Sequence, residues 1–173
     1  MAYKTLKELY LNSIESYKHR TVSSIFERES MTYAQFDGKV RALQAIFCNA
    51  GLRHGDKIAL LSGSIPNWSV CYFAAVISGY VVVPILPDFS PDELNSIIVH
   101  AEAKALCITD KLYPKISKET IDGLNVVVRT KNLAVLIQNR TEQGEITEPR
   151  PDDTAAIIYT SGTTSAPSGT PHS

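Results

Sequence analysis

An α/β fold, with a mostly parallel sheet and helices on both faces, is what this sequence of 173 residues predicts. Three observations carry that reading. Runs dominated by consecutive apolar residues recur at Lys57–Ser62, Tyr80–Val83, Ala105–Ile108, Asn125–Val128 and Ala155–Tyr159. Unbroken apolar runs of strand length are what a strand covered on both faces requires. Segments of helical periodicity lie among these runs, most plainly Tyr33, Phe36, Val40, Leu43, Phe47 and Ala50 at alternating three- and four-residue steps. Strands that alternate with helices connect through right-handed crossovers, which makes neighbouring strands parallel. Finally, the length fits one domain or part of a larger one, and 44% hydrophobic with 20% charged residues is a globular composition.

The elements follow in order. Thr5 and Glu8 stand at capping-box spacing, so the first helix should start at Leu6. Leu6, Tyr10, Ile14 and Tyr17 form a stripe expected to pack down on one face. Val22–Phe26 and Met31–Tyr33 flank the charged turn Glu27–Ser30 and predict a hairpin. Thr32 and Gln35 repeat the capping spacing ahead of a helix of about five turns, which Gly51 should end in a left-handed conformation. Pro66 suits a first helical turn, with Trp68, Cys71, Tyr72, Ala75 and Val76 on one side and Ala74, Ala75, Ser78 and Gly79 small enough for close approach. The strand at Tyr80–Val83 is expected to stop at Pro84. Ser90-Pro91-Asp92-Glu93 combines an N-cap, a proline at N1 and a glutamate at N3, with Leu94, Ile97, Ile98 and Ala101 behind it. Lys111–Glu119 predicts a short helix, and Asn132–Gln138 fits helix or strand. Thr141–Asp153, polar and containing Pro149 and Pro151, should be an exposed connection.

Several function classes fall away on composition. A net charge of -1 provides no electrostatic footprint for nucleic acid or an anionic membrane. Cys48, Cys71 and Cys107 are far apart among apolar neighbours, which argues for buried free thiols rather than a disulfide framework or a zinc site. His19, His54, His100 and His172 show no ligand spacing and read as surface or loop-end residues. Met1–Glu8 brings acidic charge early and has no apolar core, so it is no signal peptide, and a cytoplasmic location is the expectation. Ile58–Pro87 carries no charge, but Gly63, Pro66, Asn67, Gly79 and Pro84 interrupt it; it reads as strand, helix and strand rather than a membrane span.

The chemistry points to one stretch. The apolar run ending at Tyr159 leads straight into Thr160, Ser161, Gly162, Thr163 and Thr164, small residues carrying hydroxyls and a glycine. Such a turn can wrap an anion, because glycine lets successive backbone N–H groups converge and Ser and Thr add donors. It is not a Walker A loop: Gly162 and Gly169 have the wrong spacing and no Gly-Lys-Ser/Thr follows. The same composition also suits an irregular chain end. In a parallel α/β sheet ligands sit beyond the carboxyl ends of the strands, which is where this loop would emerge.

Thr160-Ser161-Gly162-Thr163-Thr164-Ser165-Ala166-Pro167-Ser168-Gly169 resembles the signature loop of the adenylate-forming superfamily, which includes acyl-CoA synthetases, amino-acid-activating adenylation domains and luciferases. The pattern departs at Ser168, where the family carries a lysine, and Thr170-Pro171-His172-Ser173 is unlike the family's continuation. Three earlier stretches are similar to the family in the same order. They are Met31-Thr32-Tyr33-Ala34-Gln35-Phe36, the turn from Gly51 through Gly55-Asp56-Lys57-Ile58-Ala59, and Ser78-Gly79-Tyr80-Val81-Val82-Val83-Pro84-Ile85. The resemblance covers residues 20 to 169. Pro151-Asp152-Asp153-Thr154-Ala155-Ala156 looks most like long-chain fatty acyl-CoA synthetases.

The resemblance implies residues 1–173 as an incomplete N-terminal part of an AMP-binding domain, with the acyl-CoA synthetase-like subdomain fold. Residues 160–173 would be the phosphate-loop segment and a mobile end. It implies a fatty-acid–CoA ligase that activates a carboxylate with ATP to acyl-AMP and passes the acyl group to coenzyme A, with Mg²⁺ assisting. Thr160, Ser161, Gly162, Thr163 and Thr164 would hold the β- and γ-phosphates as charge develops on the leaving pyrophosphate. No catalytic residue and no metal ligand of this chain is implied. The family's metal carboxylate, nucleoside contacts, acyl pocket and catalytic lysine lie further along, so the expectation is a chain inactive alone and binding no cofactor tightly. Partners would be ATP and a carboxylic acid, with self-association left open. The alternatives are a fragment of an amino-acid-activating domain, and a non-catalytic nucleotide-binding or interaction module.

Overall fold

Side-chain caps start four of the five α-helices among the described residues. A computed structural model of the chain describes residues 3–25, 29–160 and 168–172. Thr5 accepts from the Glu8 N–H at the start of α1 (Leu6–Tyr17), and Thr32 with Gln35 forms a reciprocal capping box on α2 (Tyr33–Asn49). Ser90 and Glu93 do the same for α4 (Pro91–His100), and Ser117 caps α5 (Lys118–Asp122). Each such cap is worth about 1 kcal/mol. The fifth helix, α3 (Pro66–Val76), has no side-chain cap and begins instead on Pro66. At α1 the box is incomplete, because the Glu8 carboxylate accepts from the Lys4 N–H rather than that of Thr5.

The strands are β1 (Thr21–Ile25), β2 (Glu29–Thr32), β3 (Lys57–Leu61), β4 (Val81–Ile85), β5 (Ala103–Ile108), β6 (Val126–Arg129), β7 (Val135–Gln138), β8 (Ala156–Thr160) and β9 (Ser168–His172). β1 and β2 make the expected antiparallel hairpin, part of whose turn lies outside the described residues. The main sheet runs β7-β6-β5-β3-β4-β8-β9. Its pairs from β6 to β8 are parallel, and antiparallel β7 and β9 close the two ends. The ambiguous stretch at Asn132–Gln138 thus contains a strand, and the predicted Lys111–Glu119 helix is a 3₁₀ turn at Tyr113–Lys115 followed by α5.

Alternation along the strands divides the core in two. Ile58, Leu60, Val82, Ala105, Cys107, Val126 and Val128 face α1, α2 and α3 in one cluster. Ala59, Leu61, Val83, Ile85, Leu106, Ile108 and Val127 face α4 and the Leu112–Leu124 region in the other. This is why the runs are continuously apolar: successive side chains point to opposite faces and both faces are covered. Two predicted helix faces need correction. Only Tyr10 of the α1 stripe is buried, with Leu6 38% and Tyr17 42% exposed, so the stripe touches the core over one turn. The buried face of α3 is Asn67, Val70, Cys71, Ala74, Ala75 and Val76, while Trp68 and Tyr72 stack on each other, half-buried, at its flank.

Pro84 does not end its strand. The Val82 N–H donates to the Ala155 carbonyl, so Val82 turns its hydrogen-bonding groups toward β8, and Pro84 two residues on does likewise. The β4–β8 ladder has a single registered pair, Val82↔Ala156, so no N–H is required where Pro84 lacks one.

Residues 141–153 are more than a solvated link. Backbone N–H groups of Glu142, Gly144, Glu145 and Thr147 donate to Asn49, Cys48, Leu52 and Ser78 carbonyls at 2.7–3.0 Å. The segment is a strap along the amino edge of the sheet. A Cβ at Gly144 would meet the Leu52 carbonyl oxygen at 2.1 Å, so only glycine fits there.

Candidate functional site

β8 delivers the candidate loop to the carboxyl edge of the sheet. Ala156 packs in the α3-side cluster, while Ile157 and Tyr159 pack on the α4 side. Alternation then leaves Ile158 and Thr160 exposed on the opposite face. Tyr159 is the anchor. It is buried, its hydroxyl lies 2.7 Å from Nδ1 of His100 at the end of α4, and the two rings meet edge to face. Burial raises the Tyr159 phenol pKa, which keeps the hydroxyl protonated. The residue before the loop is therefore fixed by both packing and a hydrogen bond.

Of the predicted phosphate-binding residues, Thr160 sits at the last position of β8, and Ser161, Gly162, Thr163 and Thr164 lie outside the described residues. β9 then returns antiparallel to β8, in register from Thr160↔Ser168 to Ala156↔His172. The two strand ends on either side of residues 161–167 are therefore held together by backbone pairing. That return strand was not predicted. Its composition is poor for a strand, and Pro171 opposite Ile157 is acceptable because the strand lies at the sheet's end.

Around the same edge the chain fixes its other strand ends with polar side chains. The Asn67 amide donates to the Thr130 and Lys131 carbonyls, both at 2.9 Å, and its oxygen accepts from Lys39 at 3.2 Å. The Ser62 hydroxyl donates to the Gly63 carbonyl at 3.1 Å. Asn67 thereby ties the first turn of α3 to the residues after β6, and the Ser62 hydroxyl, just past β3, lies 3.4 Å from the Thr130 hydroxyl. These groups lie across β4 from the loop and are all satisfied, which makes them scaffolding.

Two histidines that the sequence marked only as surface residues make specific contacts. His100 supports Tyr159, and His54 lies at 2.8 Å from the Thr147 hydroxyl and 3.4 Å from Asp153. No local pattern signals either one, since each partner is distant in sequence. The three cysteines are free and buried, as expected. Cys107 has its thiol pKa raised by a hydrogen bond to Cys71 and by burial, which makes it an inert thiol. Among the described residues no cluster of His, Cys, Asp or Glu could hold a metal ion, and no helix is long and apolar enough to cross a membrane.

The AMP-binding enzyme family model matches residues 12–173. The chain belongs to that family. It is 25% identical to the peroxisomal long chain acyl-CoA synthetase 7 of Arabidopsis thaliana, over 95% of this chain and 28% of that protein. It is 26% identical to an Escherichia coli crotonobetaine/carnitine–CoA ligase, over 95% of this chain and 35% of the other. The chain therefore spans about a third of the length of the curated relatives it matches.

Solved structures agree on the fold. An anthranilate–CoA ligase in complex with anthranoyl-AMP superimposes with a TM-score of 0.82 at 20% identity, covering 97% of this chain and 34% of that one. A long-chain-fatty-acid–CoA ligase of Archaeoglobus fulgidus gives 0.76 at 22%, covering 99% and 37%. An N-terminal subdomain from Klebsiella oxytoca gives 0.74 at 21%, covering 98% and 42%.

Proposed function

We propose that this chain supplies the phosphate-binding wall of an ATP-dependent acid–CoA ligase. The observation that carries the reading is the position of Thr160, at the carboxyl end of β8 and paired with Ser168 of β9. Thr160, Ser161, Gly162, Thr163 and Thr164 would hold the β- and γ-phosphates of ATP. Donors aimed at charge that develops on the leaving pyrophosphate lower the barrier to attack by the carboxylate on the α-phosphate. Mg²⁺ brought with the nucleotide would neutralise part of that charge. The acyl-adenylate would then pass its acyl group to coenzyme A. A serine or threonine hydroxyl without a paired base is a poor nucleophile, so the loop's part in this scheme is to bind rather than attack.

The acid class is the finer part of the proposal, and a fatty acid is our reading. The match to the Arabidopsis long-chain enzyme and the similarity of Pro151–Ala156 to long-chain synthetases support it. Ser168, in place of a lysine, leaves the loop one cation short. A charge-assisted hydrogen bond of that kind is worth roughly 1.5–3 kcal/mol. We further propose that the chain by itself does not turn over.

Two measurements test this. Amide chemical shifts followed during a titration with Mg-ATP should change, where they change at all, within residues 160–169; saturable changes centred elsewhere would sink the loop assignment. Pyrophosphate release from the purified chain with palmitate and ATP should stay at background, and carboxylate-dependent release above it would refute inactivity.

A further inference from the structure

A cavity of ≈ 440 Å³ opens at the edge of the sheet opposite Thr160, walled by the first turns of α1, the end of α3, Gly79–Tyr80 and residues 149–156. Its size is that of a small-molecule site. Leu6, Leu9, Tyr72 and Val76 line it, and Leu6 and Leu9 are 38% and 39% exposed, apolar area that water meets when the cavity is empty.

Its charged residues are unequal. Asp153 is engaged: one carboxylate oxygen lies 3.4 Å from His54 Nε2, and the other accepts from the Arg150 N–H at 2.7 Å. The side chains of Lys4 and Arg150, by contrast, have no carboxylate within 4.0 Å among the described residues. Lys7, on the same helix, is already paired with Glu148. The cavity is therefore lined by apolar side chains and by two exposed basic residues that have no carboxylate partner among the described residues. The start of α1 adds the partial positive charge of a helix N-terminus, part of which Glu8 offsets. Tyr72 makes no hydrogen bond to another described residue, and burial raises its pKa, so its hydroxyl remains a donor.

We propose that this cavity binds an amphipathic monocarboxylate of medium chain length, with the carboxylate between Lys4 and Arg150 and the chain against Leu6, Leu9, Tyr72 and Val76. A polyanion such as a nucleotide gains nothing from the leucines, and a neutral lipid leaves two cations without a partner. The site shares no residue with the phosphate loop and does not depend on the reading of that loop.

The test is an amide-resolved titration of the full chain with octanoate, with octanol as the neutral probe and inorganic phosphate as the anion without a tail. Octanoate should produce saturable shifts in residues 4–9, 72–80 and 149–156, and both control probes should bind at least tenfold more weakly. The double variant Lys4→Gln with Arg150→Gln should weaken octanoate about tenfold, as expected for loss of charge-assisted contacts. Arg150→Gln alone should weaken it in the same direction, and Lys7→Gln should leave it unchanged. Shifts absent from these residues, octanol binding as tightly as octanoate, or variants that bind like the parent would each overturn the proposal. Shifts at residues 160–169 produced by ATP would be unaffected by any of these outcomes.

Discussion

The two edges of the sheet are built by opposite means. At the amino edge, chain reversals are held by backbone: Gly51 and Gly79 adopt φ of +80° and +78°, and the strap donates its N–H groups to carbonyls at the ends of α2 and α3. Side chains only reinforce it, as where Tyr80 donates its hydroxyl to the Glu145 carbonyl at 2.7 Å. At the carboxyl edge the residues just past β3 and β6 are held by side chains, chiefly Asn67, and β8 ends on an exposed Thr160. The contrast teaches a division of labour. An edge closed by backbone bonds leaves few backbone donors to spare, whereas the carboxyl edge, fixed by side chains and by the β8–β9 pairing, leaves the Thr160 side chain exposed.

If that contrast is right, the largest effects of substitution fall on the amino edge. Gly144→Ala forces a Cβ against Leu52 backbone, since the added carbon would lie 2.1 Å from its carbonyl oxygen and 2.7 Å from its nitrogen. The expected cost is about 2–3 kcal/mol, read as a lower urea midpoint at unchanged slope. Gly79→Ala combines a left-handed backbone with a Cβ 2.2 Å from the Thr147 hydroxyl oxygen. Because that side chain can swing away, we expect a smaller loss of about 2 kcal/mol in the same unfolding experiment.

Asn67→Ala tests the side-chain-held part of the carboxyl edge. It removes donors from two carbonyls, one of them on fully buried Thr130, and should cost about 1–2 kcal/mol. Thr160→Ala, at the exposed end of β8, should change stability by less than about 0.5 kcal/mol. A loss as large as that of Gly144→Ala would show that the two edges are equally constrained.

The smallest effect is electrostatic. Hydrogen bonds from the Ser90 hydroxyl and N–H hold the exposed Glu93 carboxyl pKa below its ordinary value. A lowered folded-state pKa stabilises the fold above the unfolded value of 4.5, and this contribution is lost as pH falls through the folded value. The melting-temperature gap between the parent and Glu93→Gln should therefore be open at pH 7 and close on acidification; a gap that widened instead would contradict the cap.

Much of the fold was legible because its signals are local. The Thr32 and Ser90 capping boxes, the left-handed stop at Gly51 and the paired-face strand runs each depend on residues a few positions apart. β7 was ambiguous because, as an end strand, it buries none of its residues fully and its short apolar run, without alternation, suits a helix or a strand. β9 was missed for a related reason: it is held by pairing to β8, and pairing leaves little trace in composition. At the candidate site, Thr160 is proposed from residue type alone. The His100 support behind Tyr159 was not legible in that way, since 59 residues separate the partners.

By itself, then, the sequence determined the fold class and the order of most elements, because hydrophobic alternation and capping chemistry act over a few residues. Only the tertiary structure decided that residues 141–147 lie bonded along the amino edge, that Pro84 continues a strand, and that Lys4 and Arg150 meet at one cavity. Those outcomes depend on which distant backbone groups and charges arrive side by side, and chain topology sets that.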